Sequence, residues 1–192
     1  MNQHIIDRGR IEVDGGTSKL GLIITFGGIT MLFVTLLASA TSMVLNELGH
    51  INLSPFNKLV AFAIAILLIL SSIFFESSFA RWKEGEWEES RWYLGSSITT
   101  SFLFIFGQVM IWQQMVAMGF PADTNVVAGM IYLIAGMHLA HFLSGIGFLS
   151  WLFYKMSFDQ SLKMVRFRLI GWFWHFLTIL WFILLIIIIL II

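Results

Sequence analysis

Three histidines are the side chains of this sequence best suited to bind a metal ion or a haem. His138 and His141 lie three positions apart in the segment HLAH, so a helix would place them on one face. His175 follows in a later apolar segment and could supply a ligand from another helix. Because imidazole nitrogens bind haem iron and transition metals, a haem site stays open. The interpretation we favour is that these side chains form hydrogen bonds with neighbouring helices or with lipid headgroups.

Two further polar side chains stand in apolar surroundings. Glu76 follows the segment SSIFF, where a carboxylate could relay protons, contact a lipid amine or reach the membrane interface. We favour the interfacial role. Gln108 follows Gly107, and polar side chains of this kind form hydrogen bonds between helices in membrane bundles. For both residues we therefore favour a structural role over a catalytic one.

The sequence lacks the residues that several classes of enzyme and binding protein require. It contains no cysteine, which excludes disulfides, thiolate catalysis and cysteine-ligated zinc or iron–sulfur clusters. Its 11 basic residues balance 11 acidic residues, so no net positive charge would attract nucleic acid. The sequence has no nucleophile–base pair and no glycine-rich phosphate loop. We therefore predict no catalytic, metal-ligating or cofactor-binding residue.

The elements that position these side chains are predicted to be membrane-spanning helices. Apolar residues make up 58% of the chain and charged residues 11%, whereas soluble domains average about 25% charged residues. A hydrocarbon core of about 30 Å takes about 20 apolar residues to cross, and five stretches are long enough. They cover approximately residues 20–45, 56–79, 92–115, 126–154 and 167–192. Because the apolar residues run on without alternation, a β-barrel is excluded.

Short connections join the predicted spans. Those over residues 46–55 and 116–125 contain turn residues, the one over 80–91 is highly charged, and the one over 155–166 is basic. None is long enough to separate two domains. Residues 1–192 are therefore predicted to form one all-α transmembrane domain, a polytopic bundle of five helices.

The distribution of Lys and Arg predicts the direction of insertion. Of the 11 Lys and Arg residues, all but Lys58 lie in or beside the N-terminal tail and the connections over 80–91 and 155–166. These segments share one side of a five-helix bundle. Positive charge favours the cytoplasmic side, so the N-terminus is predicted inside and the C-terminus outside.

The N-terminal part has a second interpretation as a signal peptide. Ala38-Ser39-Ala40 follows an apolar run and resembles an A-x-A cleavage site. The run from Leu20 to Leu37 is longer than the core of about 7–15 residues that signal peptides have. We therefore interpret it as a retained span.

The last three predicted spans contain an ordered set of motifs. The third has a glycine-glutamine followed by a tryptophan, the fourth a tyrosine and Gly-x-His-x-x-His, and the fifth Trp-His-Phe followed by a tryptophan. The residues concerned are Gly107, Gln108 and Trp112; Tyr132, Gly136, His138 and His141; and Trp174, His175, Phe176 and Trp181. This set resembles subunit III of the haem–copper cytochrome oxidases, in the short form that has five helices.

Three positions depart from the pattern of that family. Ile29, Ile111 and Thr178 stand where the family usually has a glutamate, a second glutamate and an aspartate. These side chains do not ionise. The chain is therefore predicted to be a divergent member that moves no protons through these positions.

The resemblance implies an accessory subunit without redox centres. Haem and copper would lie in partner subunits, chiefly the catalytic subunit I, which this chain would stabilise while binding phospholipid. The complex would reduce dioxygen and pump protons in a bacterial inner membrane, and could join a larger respiratory supercomplex. The residues with a structural or lipid-contact role would be Glu76, Gln108, Trp112, His138, His141, Trp174 and His175.

Two other functions remain as alternatives. The first is a haem-b membrane anchor that uses His138 or His141 together with His175. The second is a small transporter, which would need a substrate site near the middle of the membrane, usually on broken helices. No predicted span carries a proline or a matched polar break, so the transporter ranks low.

Overall fold

Five long helices make up nearly all of the computed structural model, which describes residues 2–46, 55–158 and 164–191. The helices are α1 (Asn2–Leu45), α2 (Pro55–Glu84), α3 (Trp87–Ala117), α4 (Val126–Phe158) and α5 (Met164–Ile191). Each contains a segment long and apolar enough to cross a membrane. A helix pairs its backbone polar groups internally, which is why such segments are helical in lipid. The prediction of an all-helical fold with five segments long and apolar enough to cross a membrane is confirmed.

The charged segment between α2 and α3 is almost entirely helical, although the sequence predicts a connection over residues 80–91. The turn consists of Gly85 and Glu86. Gly85 has a φ of 83°, a backbone conformation that residues other than glycine rarely adopt. Arg81 and Lys83 end α2, and Glu88 and Glu89 begin α3. These charges match the helix dipoles and extend both helices beyond the predicted spans.

Ring contacts and hydrogen bonds fix the order in which the helices pack. α2 makes its most extensive contact with α3 and also packs on α5, while α4 lies between α3 and α5. α1 packs on α4 and α5. We call the end of the bundle with the Gly85–Glu86 turn the turn end. α4 ends there and α5 begins there, because Gly95 of α3 lies beside Phe153, and Phe75 of α2 contacts Phe167.

The centre of the bundle is filled by aromatic rings from three helices. Phe104 of α3 contacts Phe142 of α4 at 5.0 Å and Trp181 of α5 at 5.2 Å between ring centroids. Phe142 also contacts Trp174 of α5 at 4.9 Å. Such ring pairs add directional contacts to simple packing. This aromatic centre fixes the rotation of α4 and α5 and so decides where their histidines point.

The α2–α3 contact is built on serines that are completely buried. Ser78 Oγ donates to the carbonyl oxygen of Ser90 at 2.8 Å, and Ser90 Oγ donates to that of Ser78 at 2.7 Å. Ser71 and Ser97 make the same reciprocal exchange, both at 2.9 Å. Ser101 Oγ lies 2.9 Å from Ser71 Oγ. We call these five residues the serine seam.

A glycine allows the same two helices to approach closely. A Cβ atom on Gly107 of α3 would lie 2.3 Å from Cγ2 of Ile64 in α2, well inside van der Waals contact. Close approach of backbones is a principal source of helix association in lipid. Gly107 therefore belongs to the same interface as the serine seam.

Candidate functional site

A chain of hydrogen-bonding side chains links α2 to α5. His175 Nε2 lies 2.9 Å from Glu76 Oε1, and His175 Nδ1 lies 3.3 Å from Ser72 Oγ. Ser72 Oγ in turn lies 3.1 Å from Thr178 Oγ1, which donates to the carbonyl oxygen of Trp174. We call Ser72, Glu76, His175 and Thr178 the α2–α5 polar chain. It gives both nitrogens of His175 a partner from α2.

The polar chain reaches the surface of the bundle at Glu76. Half of the Glu76 side chain is exposed (49%), and Arg168 of α5, exposed to a similar extent, lies 4.0 Å from its carboxylate. The Arg168 guanidinium also lies 4.4 Å from the Phe79 ring centroid, in cation–π range. Glu76 is eight residues from the end of α2, or about 12 Å along the helix. Because α2 ends at Glu84 and the predicted span ends at residue 79, the carboxylate lies farther from the helix end than the sequence predicts.

His138 has a different environment, at the aromatic centre. Its side chain is 1% exposed, and its ring centroid lies 4.9 Å from that of Trp181 and 6.2 Å from that of Phe33. Neither ring nitrogen has a hydrogen-bond partner among the described residues. The predicted hydrogen bond from His138 to a neighbouring helix is thus not made by any described side chain or backbone group.

His141 is bonded within its own helix and borders a groove between α1, α4 and α5. Its Nδ1 lies 2.7 Å from the carbonyl oxygen of Met137. The groove has a volume of about 460 Å³, and Thr25, Ile29 and Ser144 line it together with His141. The wall is otherwise apolar, which fits contact with an acyl chain or with another protein.

The three histidines do not share one environment. His138 and His141 both contact Phe33 of α1, whereas His175 contacts Phe75 and Glu76 of α2. Among the side chains that the structure describes (residues 19–46, 59–158 and 164–190), no group of three or more His, Asp or Glu is placed to hold a metal ion. This arrangement does not favour the haem-anchor alternative, which needs His175 beside one of the other two.

The remaining candidates from the sequence lie in α3 and α5. Gln108 is buried, and its Oε1 has no hydrogen-bond partner in the described part of the chain. Trp112 packs on Tyr132, whose hydroxyl donates to the carbonyl oxygen of Phe120 at 3.2 Å. Trp174 is completely buried, and its indole nitrogen is also unpartnered among described residues. These side chains support packing between α3, α4 and α5.

The three positions that depart from the resembled pattern have separate surroundings. Ile29 lines the groove beside His141, and Ile111 is buried beside Gln108. Thr178 belongs to the α2–α5 polar chain. None of these three side chains ionises, so none can carry a proton from one of these surroundings to another.

Sequence reasoning missed the serine seam and a groove at the turn end. A signal for the seam was present, because Ser71 and Ser78 are seven residues apart, as are Ser90 and Ser97. That spacing repeats after two helical turns on one face.

The missed groove, which we call the α3–α4 groove, has a volume of about 710 Å³. Arg91, Glu88 and Trp92 line it near the start of α3, and Phe153 lines it from α4. Trp92 is strongly exposed. The groove thus joins charged groups near the start of α3 to the aromatic rings of Trp92 and Phe153.

Comparison with known proteins agrees with the motifs. The chain is 22% identical over 177 residues to cytochrome c oxidase subunit 3 of Bacillus subtilis (strain 168). The match covers 90% of this chain and 85% of the relative. No protein-family model matches the chain. The predicted resemblance to subunit III is therefore confirmed by a similarity that extends along nearly the whole chain.

Proposed function

We propose that the chain is an accessory subunit of a respiratory terminal oxidase, of the subunit III type. Haem and copper lie in partner subunits, and the reduction of dioxygen and the pumping of protons take place there. This chain stabilises the catalytic subunit and binds phospholipid. The observation that carries the proposal is the similarity to a cytochrome c oxidase subunit 3 over 90% of the chain.

The polar side chains of the bundle mainly form contacts between helices, which supports an accessory role. The serine seam and the α2–α5 polar chain join helices to one another. Among the described side chains, no three His, Asp or Glu residues are grouped so that they could hold a metal ion. A subunit that supports a catalytic neighbour needs a defined packed shape, and these contacts provide it.

The surface around Glu76 and Arg168 is our candidate for contact with the catalytic subunit. A charged pair inside a membrane span is costly when it faces lipid, so such pairs usually face protein or water. His175 holds the Glu76 carboxylate from the side of α5. A partner helix with a polar side chain at this depth would cover the pair.

The α3–α4 groove is our candidate phospholipid site. The Arg91 guanidinium can bind a lipid phosphate by charge-assisted hydrogen bonds. Trp92 suits the headgroup level, where tryptophans are enriched, and Phe153 lies where an acyl chain would follow. The location of Arg91 near the start of α3 matches the depth of a headgroup.

We place the protein in a bacterial inner membrane, with its turn end and N-terminus in the cytoplasm. The Lys and Arg distribution supports this direction. Single cysteines at Glu86 and Ser161 should be shielded from an impermeant thiol reagent in intact spheroplasts, and one at Asn52 should react. The chain has no native cysteine, so each label reports one position. The reverse pattern would refute the direction.

A strain that lacks this chain tests the accessory role. We expect its membranes to retain the haem and copper of the catalytic subunit and the initial rate of oxygen consumption. Activity should then decay faster during sustained turnover. Loss of the initial rate from a catalytic subunit with its full haem content would show that this chain takes part in the reaction itself.

A further inference from the structure

A small cavity lies where four helices meet in the half of the bundle away from the turn end. Its volume is about 60 Å³, and each of the four helices supplies part of its wall. Ala61 comes from α2, Gln108 from α3, Ala135 from α4 and Trp181 from α5. Gln108 lies nine residues before the end of α3, or about 14 Å along the helix. We call this space the Gln108 cavity.

Two polar atoms without partners belong to residues that line this cavity. Gln108 Oε1 and Trp181 Nε1 are fully buried, and neither has a hydrogen-bond partner among the described residues. The first accepts hydrogen bonds and the second donates one. Buried polar atoms are almost always paired with protein or with ordered water, and an unpaired one is costly. An unpartnered acceptor and an unpartnered donor thus belong to residues that line the same cavity.

The size and chemistry of the cavity point to the ligand. A buried water needs about 10–15 Å³ of accessible volume and two or more polar partners. We propose that the Gln108 cavity binds water, which accepts the Trp181 indole N–H and donates to Gln108 Oε1. The volume leaves room for a second water. The small side chains of Ala61 and Ala135 keep this space open, because a longer side chain at either position would extend into it.

Trp174 provides a matched control within the same helix. Its indole nitrogen is also buried without a partner among the described residues, but Trp174 lines none of the cavities described above. Its ring packs instead against Phe142, and a Cβ atom on Gly145 would lie 3.0 Å from it. A water bound specifically in the Gln108 cavity should therefore be detected at Trp181 and not at Trp174.

The first test measures magnetisation transfer from water to the indole N–H groups by NMR. The full chain is labelled with 15N-tryptophan and embedded in lipid nanodiscs, and Trp181→Phe and Trp174→Phe assign the two signals. We expect transfer at Trp181 and none at Trp174. No transfer at Trp181, or equal transfer at both residues, would overturn the proposal.

The second test removes the acceptor and checks for a dry cavity. Gln108→Met keeps most of the volume but cannot bind water through an amide, so transfer at Trp181 should be lost. Unchanged transfer in this variant would contradict the bridge. Since a dry apolar cavity of sufficient size binds xenon, 129Xe should show no saturable binding that shifts the Trp181 signal of the unaltered chain. Such binding would overturn the proposal even if the Gln108→Met variant fails to fold.

Discussion

The serine seam and the aromatic centre differ in whether their buried polar groups have hydrogen-bond partners. In the seam, all five serine hydroxyls are completely buried and every one has a hydrogen-bond partner. In the aromatic centre, His138, Trp174 and Trp181 are also buried, yet their ring nitrogens have no partner among the described residues. One interface is complete within the chain, while the other contains polar groups that the described chain does not pair.

This difference indicates which helix–helix interface contributes more to the stability of the bundle. Lipid tails are as apolar as leucine, so helices associate in a membrane through close packing and hydrogen bonds. α2 and α3 have both, in the serine seam and in the contact of Gly107 with Ile64. α4 and α5 rely on ring packing around Phe142. We therefore expect substitutions in the α2–α3 contact to have the larger effects on stability.

The largest effect is expected for Gly107→Ala. The new Cβ atom would overlap Ile64 Cγ2 and push α2 and α3 apart, at a cost of about 1–3 kcal/mol in the free energy of unfolding. Unfolding of the purified chain in mixed detergent micelles measures it. Gly136→Ala in α4 is the matched control, because its Cβ would meet no atom within 4 Å and should leave stability unchanged or slightly raised. Equal effects of both variants would remove the distinction between the two interfaces.

The next largest effect is expected for Ser97→Ala. This change removes the hydrogen bond to the Ser71 carbonyl oxygen and the pairing of the two hydroxyls, worth about 1–2 kcal/mol together. Ser96→Ala serves as control, since the Ser96 hydroxyl donates to the Trp92 carbonyl oxygen of its own helix. The same unfolding assay should separate the two variants. A Ser97→Ala protein as stable as the unaltered chain would mean that the seam contributes little.

A smaller effect is expected for His175→Leu in the α2–α5 polar chain. Loss of the contacts to Glu76 and Ser72 should lower stability by about 1 kcal/mol and weaken retention of the chain by its partner subunits. Quantitative mass spectrometry of the purified complex measures retention, and its haem content should stay constant. A complex that keeps this chain but loses haem would show that the role of His175 is not structural.

The smallest effect is expected for His138→Leu at the aromatic centre. Because neither ring nitrogen has a described partner, replacing the imidazole with an apolar side chain should change stability by less than about 1 kcal/mol in either direction. The comparison with His175→Leu uses the same substitution in two surroundings. Destabilisation by His138→Leu as large as that by Gly107→Ala would reveal a partner for His138 and reduce the contrast between the regions.

The sequence predicted the elements far better than the contacts between them. Hydropathy and length identify all five helices, because each helix satisfies its own backbone in lipid. The contact of His175 with Glu76 joins residues 99 positions apart and depends on the rotation of two helices. Nothing in either segment specifies that rotation, since both are apolar on most faces. The aromatic packing between helices sets it.

For the serine seam too, the local sequence indicates which residues share a helix face but not which residues they contact. The spacing of seven residues indicates a shared face on each helix, but the partners follow only from the tight Gly85–Glu86 turn, which aligns Ser78 with Ser90. A connection over residues 80–91, as the sequence predicts, would leave Ser90 outside α3, so the alignment could not be foreseen. The hydrogen bond predicted for Gln108 stays a prediction, because its Oε1 has no partner among the described residues.

The central claim is that this chain works as a redox-free subunit of a terminal oxidase, and purification in mild detergent tests it most directly. An affinity tag on the chain should recover a haem–copper catalytic subunit in equal amount, identified by mass spectrometry. All haem absorbance should follow that subunit when a harsher detergent separates the two chains. Recovery of this chain without an oxidase subunit, or a stoichiometric Soret band on the separated chain, would contradict the account.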